Sequence, residues 1–343
     1  MKRREFLIST GVAASAGATF GPLAHAQGNY KPEYRMSTVL GPAFAWGRAA
    51  EQWAKLIGQA TQGRVVSKVY PGASLVQGDA TKELSAMRQG SIDLVCGAPG
   101  NWIGAGRALG CFSLPFQFPD HKAWDAVMNH KGLMQEYFEV ARRAGVEPLA
   151  LGETGFRQLS NSKRAVRRPE DLKGLKIRLP PSPMMSETLQ ELGGNPTVMS
   201  WADTQPALAS GAIDGVENPM ELFFAAKMNT LGQKYVTRWN YMNEVLLFGV
   251  SKNAWDSWSP QDQKLVRDAA IEAARLNVLE VRNAYAEDIA NASKLGVEVV
   301  QPTAAELNAF VVATRRTYAR WKAQINPTLV SAIEQIVVDS RKG

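Results

Sequence analysis

Short runs rich in apolar and β-branched residues alternate with longer segments of helical periodicity in the first part of the chain. Runs at 34–40, 64–70 and 92–96 predict strands, with helices around 45–60 and 79–89 between them. Strands that alternate with helices in this way form mainly parallel sheets covered by the helices. The pattern therefore predicts an α/β fold.

The same alternation returns further along the chain. Runs at 146–151, 175–179 and 213–216 predict three more strands, separated by helices around 184–192 and 204–210. In both halves a predicted helix ends at a glycine, a residue that readily caps a helix, and Ile-Asp follows two positions later. This echo indicates two similar α/β domains that face each other.

Ligands of open parallel sheets bind beyond the carboxyl ends of the strands. The segments at those ends are 97–101 in the first half and 217–219 in the second. We therefore predict a central cleft lined by these two segments.

One unusually long helix is predicted near the end of the chain. Ser259 and Pro260 combine an N-cap with proline at the first helical position, and neither Pro nor Gly occurs again before about Leu295. At 1.5 Å per residue such a helix is on the order of 50 Å long, more than the diameter of one small domain. We therefore expect it to span both domains.

These elements predict two domains of discontinuous sequence. Domain I is expected to comprise 27–153 and about 243–282, and domain II 154–242 and about 283–343. The length of 343 residues and an apolar content of 45% are sufficient for two cores.

The first 26 residues have the organisation of an export signal. Arg3 and Arg4 precede Phe-Leu, a weakly apolar stretch follows, and residues 24–26 form an A-x-A cleavage pattern. An N-terminal anchor helix is the alternative, but the stretch is interrupted by Gly, Ser and Thr and falls short of the roughly 20 apolar residues that a bilayer requires. We predict a twin-arginine signal peptide and a periplasmic mature chain.

Charge and cysteine content add little to this picture. The net charge of +7 is scattered, without basic runs interleaved with aromatic residues, so we predict no nucleic-acid partner. In an oxidising compartment Cys96 and Cys111 could form a disulfide, or they could be two buried thiols. The sequence leaves this question open.

Motifs for catalysis are weak. Residues 104–110 fit a relaxed dinucleotide fingerprint but do not directly follow a strand, and 160–163 match S-x-x-K without its partner motifs. Beyond the signal the chain has only His121 and His130, neither of them in a zinc-binding spacing. We therefore predict no catalytic residues, no cofactor and no metal site, with a periplasmic enzyme as the less favoured alternative.

Several motifs, in order, resemble the DctP-type solute receptors of TRAP transporters, the tripartite ATP-independent periplasmic systems. They are Y-P-G-A-S-L at 70–75, L-P-F at 114–116, G-F-R at 155–157 with S-N at 160–161, D-L-K-G-L-K-I-R at 171–178 and D-G-V-E-N-P at 214–219. The resemblance implies a periplasmic-binding-protein fold that closes on a small carboxylate without catalysis. It also implies integral membrane transporter subunits as partners and a monomeric receptor. A receptor for another importer or for a sensor is the alternative.

The resemblance assigns ligand contacts residue by residue. Arg178 corresponds to the arginine that holds the ligand carboxylate with two parallel donors, Arg157 to a second basic contact, and Asn218 to an amide that orients the carboxylate. The complete predicted set of ligand-binding residues is Arg178, Arg157, Asn218, Trp201, Gln77, Trp46, Ala98 and Phe223.

The chain also departs from the family pattern. Val216 replaces the usual Gln before Glu-Asn-Pro, Tyr241 stands where many members have His, and residues 97–100 offer little side-chain polarity. We therefore predict a less polar, Trp-rich cleft, which favours an aromatic or branched aliphatic acid over a sugar acid.

Overall fold

The structure is a computed structural model that describes residues 30–342, so the predicted signal peptide lies outside the described residues. The strands are β1 (Tyr34–Thr38), β2 (Ser67–Tyr70), β3 (Leu94–Gly97), β4 (Val146–Asn161), β5 (Lys176–Leu179), β6 (Asn195–Val198), β7 (Gly215–Pro219), β8 (Tyr235–Thr237), β9 (Asn243–Ser251) and β10 (Glu298–Val300). The helices are α1 (Ala45–Ala60), α2 (Glu83–Arg88), α3 (His121–Met128), α4 (Lys131–Arg143), α5 (Pro183–Glu191), α6 (Trp201–Ala209), α7 (Met220–Ala225), α8 (Lys252–Ser257), α9 (Pro260–Asn291), α10 (Ala304–Ala313), α11 (Arg315–Ile325) and α12 (Pro327–Asp339).

The strands form two mainly parallel halves joined through antiparallel strands. Their order is β2-β1-β3-β9-β4-β7-β5-β6, with β8 beside β4 and β10 beside β8. β1 pairs in parallel with β2 and β3, and β5 does so with β6 and β7. The predicted α/β periplasmic-binding-protein fold is confirmed.

β4 connects the two halves. Its first part pairs with β9, and its last residues pair with β7 and β8. Between these parts the register with β9 shifts, because Glu153 pairs with Val245 but Phe156 pairs with Asn243. One residue of β9 therefore faces two of β4, which is a β-bulge, a feature that bends a strand and redirects side chains.

The long helix is present as predicted. α9 has 32 residues, and the Ser259 side chain accepts a hydrogen bond from the Asp262 N–H at its start. It packs against α1 on one half, α7 on the other, and β4 between them. Arg282 of α9 forms ion pairs with Glu153 and Asp125, which ties the helix to the strand that joins the two halves.

The last helices cross between the predicted domains. α12 lies in the range assigned to domain II but packs against α3 and α4, which lie in the range assigned to domain I. α11 packs against α5. The domain ranges stay a prediction.

Both cysteines are free and buried, so the structure has two thiols at Cys96 and Cys111 rather than a disulfide. Burial raises the pKa of each thiol well above its usual value. No helix within residues 30–342 has the length and apolarity of a membrane span.

Substitution of Gly155, which lies in the bulge of β4, tests whether this backbone geometry stabilises the fold. Its φ is +91°, and an added Cβ would lie 3.0 Å from Val281 Cγ1 of α9. Gly155→Ala should lower the free energy of unfolding by about 1–3 kcal/mol, because alanine is strained at positive φ. Urea unfolding measures this loss. Gly58→Ala in α1 is the control, since its added Cβ meets no atom within 4 Å and should be neutral or stabilising; equal stability of the two variants would contradict the expectation.

Candidate ligand-binding cleft

A cavity of about 70 Å³ lies where β3, β5 and β7 end. Its position agrees with the rule that ligands bind at the carboxyl ends of parallel strands. The lining residues are Val39, Leu40, Trp46, Gly78, Ala80, Ala98, Asn101, Arg157, Arg178, Pro180, Pro181, Ser200, Trp201, Asn218, Leu222 and Glu244.

The structure brings together most of the residues predicted to bind the ligand. Those in the cavity wall are Arg178, Arg157, Asn218, Trp201, Trp46 and Ala98. Gln77 does not line the cavity, whereas its neighbour Gly78 does. Phe223 is buried in the apolar cluster under α7, and Leu222 lines the cavity instead, since adjacent residues of a helix point in different directions. Each of these two predicted residues is therefore one position away from a residue that lines the cavity.

Arg178 is a buried cation without a counter-ion. It is 4% exposed, and its Nε and Nη2 donate to the backbone oxygen of Met199 at 3.2 and 2.9 Å. Its guanidinium lies 5.6 Å from the centre of the Trp201 ring. Within residues 30–342 no carboxylate lies at salt-bridge distance from it. Burial, and then the like charge of Arg157, lower the pKa of Arg178 to about 9.

Arg157, by contrast, forms ion pairs with two carboxylates of the protein. Nε donates to Glu217 Oε2 at 2.6 Å, Nη2 to the Glu217 backbone oxygen at 2.6 Å, and Nη1 to Glu244 Oε2 at 3.3 Å. Although burial lowers the pKa of Arg157, the charges of Glu217 and Glu244 raise it above its usual value. Arg157 therefore binds two carboxylates of the protein, whereas Arg178 binds none and can bind an anionic ligand.

The rest of the wall is largely apolar. Trp46 donates its indole N–H to the Cys96 backbone oxygen at 2.8 Å, which fixes the ring. Phe44 packs edge-on against Trp201, with ring centres 5.7 Å apart. The Asn218 side-chain amide donates to the Pro219 backbone oxygen at 2.7 Å. The cavity is therefore a small apolar chamber with a few fixed polar groups, as specific small-molecule sites usually are.

Comparisons with known proteins agree with this geometry. Residues 36–324 match the family described as bacterial extracellular solute-binding protein, family 7. A TRAP periplasmic solute-binding protein from Ralstonia eutropha H16, solved with bound (S)-2-acetolactate, is 49% identical, with a TM-score of 0.88 over 90% of this chain and 100% of that one.

The chain belongs to this family.

Two further relatives lie at lower identity. A TRAP solute-binding protein from Bordetella, with density interpreted as pantoate, is 29% identical, with a TM-score of 0.79 over 89% of this receptor and 99% of that chain. The 2,3-diketo-L-gulonate-binding periplasmic protein YiaO of Escherichia coli is 29% identical over 74% of this receptor and 76% of its own length. Proteins of this family are periplasmic receptors and not enzymes.

The described residues also provide no evident metal site. Within 30–342 no group of three or more His, Cys, Asp and Glu residues could hold a metal ion. His121, one of the two histidines among the described residues, lies instead beside Phe156 and Tyr285.

Two carboxylates bound to Arg157, one in the cavity wall and one behind it, escaped prediction from the sequence. Glu217 lies within the E-N-P motif, but only Asn218 was assigned a role there. Glu244 is the single charged residue of the buried strand β9 and the second residue from its start. A carboxylate in a buried strand is costly unless it is paired, and this was the available signal.

Proposed function

We propose that this receptor binds a compact, branched monocarboxylate that carries oxygen on the carbon next to the carboxyl group, and delivers it to TRAP membrane subunits. One observation carries the proposal: Arg178 is a buried guanidinium without an anionic partner in the described chain, in the wall of a small and largely apolar cavity. A guanidinium offers two parallel donors that match a carboxylate.

The size of the cavity favours a small ligand. A water molecule requires about 10–15 Å³ of such volume, so a cavity of about 70 Å³ holds only a few waters or a compact acid. A sugar acid also needs several polar partners along its carbon chain, whereas most lining side chains are apolar.

The chemistry of the relatives' ligands supports the branched class. The relative at 49% identity was solved with (S)-2-hydroxy-2-methyl-3-oxobutanoate, and the Bordetella relative has density interpreted as pantoate. Both are branched acids with a hydroxyl group. Relatives with sugar-acid ligands are YiaO, a 2,3-diketo-L-gulonate-binding protein at 29% identity, and proteins solved with D-erythronate and D-glucuronate at 24%, so the relative at 49% identity gives the main support.

Binding is proposed to close the cleft without chemistry. The wall includes Ala98 and Trp46 from the first half and Arg178 and Trp201 from the second, so a ligand contacts both halves only when they are close together. It therefore shifts the population towards the closed form. Closure also removes water from around Arg178, which strengthens its attraction for a carboxylate.

The proposal extends to export and assembly. Arg3 and Arg4 support export by the twin-arginine route in the folded state. We propose that the receptor acts as a monomer that presents its closed form to the membrane subunits.

A thermal-shift screen of the mature receptor, refolded to remove bound ligand, tests the proposal. The panel contains branched 2-hydroxy and 2-oxo monocarboxylates, aromatic acids, dicarboxylates and sugar acids. A ligand at one hundred times its Kd increases the free energy of unfolding by about 2.7 kcal/mol. This increase raises Tm by at least about two degrees. The branched monocarboxylates should give the largest rise. The largest rise from a sugar acid, or no rise from any acid, would refute the proposed class.

A further inference from the structure

We propose that Glu244 is a specificity-determining residue of the cleft, which accepts a hydrogen bond from a ligand hydroxyl and excludes a second ligand carboxylate. This inference rests on the proposed function, because it assumes that the ligand's only carboxylate lies on Arg178. The ligand class it defines is hydroxylated monocarboxylates.

The bulge at the junction of the two halves positions Glu244. The residue lies in β9 between Asn243 and Val245, whose partners on β4 are Phe156 and Glu153, so it faces two residues of β4 instead of one. Bulges redirect side chains and are frequent beside binding sites. Glu244 is 7% exposed and lies in the cavity wall together with Arg178.

The backbone around Glu244 is shaped for its carboxylate. A Cβ added to Gly100 would lie 2.2 Å from Glu244 Oε1, so a side chain at position 100 would displace this oxygen. The other oxygen, Oε2, is 3.3 Å from Arg157 Nη1, longer than the 2.6 Å between Arg157 Nε and Glu217 Oε2. The ion pair of Glu244 with Arg157 is thus the longer of the two, and the Ser113 hydroxyl is a further donor to Glu244. Since a carboxylate oxygen accepts more than one hydrogen bond, capacity remains for a ligand donor.

The charges of the cleft explain why a second carboxylate is excluded. Arg157 and Arg178 carry two positive charges and Glu217 and Glu244 two negative charges, both paired with Arg157, so one ligand carboxylate on Arg178 leaves this group with one excess negative charge. Burial raises the pKa of Glu217 to about 7, although Arg157 opposes this shift, so uptake of one proton can offset the excess. A dicarboxylate adds a further buried charge beside Glu244, for which no cation remains among these four residues, and like charges in a buried site repel strongly.

Calorimetric titration of the receptor with three matched acids tests the inference. The probes are 2-hydroxyisovalerate, isovalerate and methylsuccinate, which differ by one hydroxyl or one added carboxylate. The wild type should prefer the hydroxylated acid over isovalerate by about tenfold and bind methylsuccinate least. Glu244→Leu should reduce the hydroxyl preference to within about twofold, and Glu244→Gln should improve methylsuccinate binding relative to 2-hydroxyisovalerate by about tenfold or more.

Two further variants make the outcome decisive. Glu83→Gln removes a carboxylate that is also buried, accepts hydrogen bonds from Ser37 and Trp102 and lies outside the cavity wall, so it should leave both ratios unchanged. Unchanged ratios in both Glu244 variants would overturn the inference, and Glu244→Gln alone decides if the leucine variant does not fold. If Arg178→Ala abolishes binding while the Glu244 ratios stay unchanged, only the inference fails. If Arg178→Ala binds like the wild type, the proposed function fails.

Discussion

Arg178→Ala is expected to weaken binding of the ligand by about a hundredfold or more. Removing one partner of a buried, hydrogen-bonded charge pair costs roughly 2–5 kcal/mol. Arg178 has no carboxylate partner in the described chain, so the variant loses its ligand contact without leaving a protein anion unpaired. The loss should therefore appear in affinity and not in stability.

Titration calorimetry with the best acid from the thermal screen measures this effect, and urea unfolding checks the fold. Arg238→Ala is the matched control. Arg238 also lies against an aromatic ring, 5.5 Å from the centre of Tyr285, but outside the cavity wall. Affinity of Arg178→Ala within a few-fold of the wild type would show that the carboxylate binds elsewhere.

Arg157→Met, unlike Arg178→Ala, is expected to lower the free energy of unfolding strongly. It leaves Glu217 and Glu244 buried without the cation that joins them. Breaking a buried ion pair by removing one partner costs about 3–5 kcal/mol, because the remaining charge is uncompensated. Urea unfolding measures the loss, and Arg275→Met, which breaks an exposed pair with Glu272 on α9, should cost less than about 1 kcal/mol.

The stability of Arg157→Met should also depend on pH. Burial already raises the pKa of Glu217 to about 7 and that of Glu244 above its usual value, with Arg157 lowering both. Without Arg157 both values rise further. A carboxyl whose pKa is higher in the folded state stabilises the fold below its unfolded pKa of about 4.3, and this stability is lost as pH rises through the folded value. The defect should therefore be smaller at pH 5 than at pH 8. An equal defect at both would show that the carboxyls are not the cause.

Much of the fold was readable from the sequence because its signals are local. The runs that became β1, β3 and β5 are short and either apolar or alternating between apolar and polar residues, and Ser259-Pro260 marks the start of α9. β8 and β10 escaped prediction because they have only three residues each, and β6 did so because none of its four residues is buried.

The composition of the cleft was harder to predict because it depends on strand order. Arg178 was found through its motif at the end of a strand. Glu244 reaches the cavity because β9 inserts between β3 and β4, which are distant from it in sequence, and because a bulge redirects it. Neither cause is visible in a local pattern. Likewise, the choice of Leu222 over Phe223 depends on the rotation of α7, which packing determines.

A crystal structure of the receptor with the acid that gives the largest thermal shift is the most direct test of ligand binding at Arg178. We expect the ligand in the cleft, with both carboxylate oxygens within hydrogen-bond distance of the Arg178 guanidinium and its branched carbon against Trp201. A ligand whose carboxylate lies away from Arg178, or one bound outside this cleft, would contradict it.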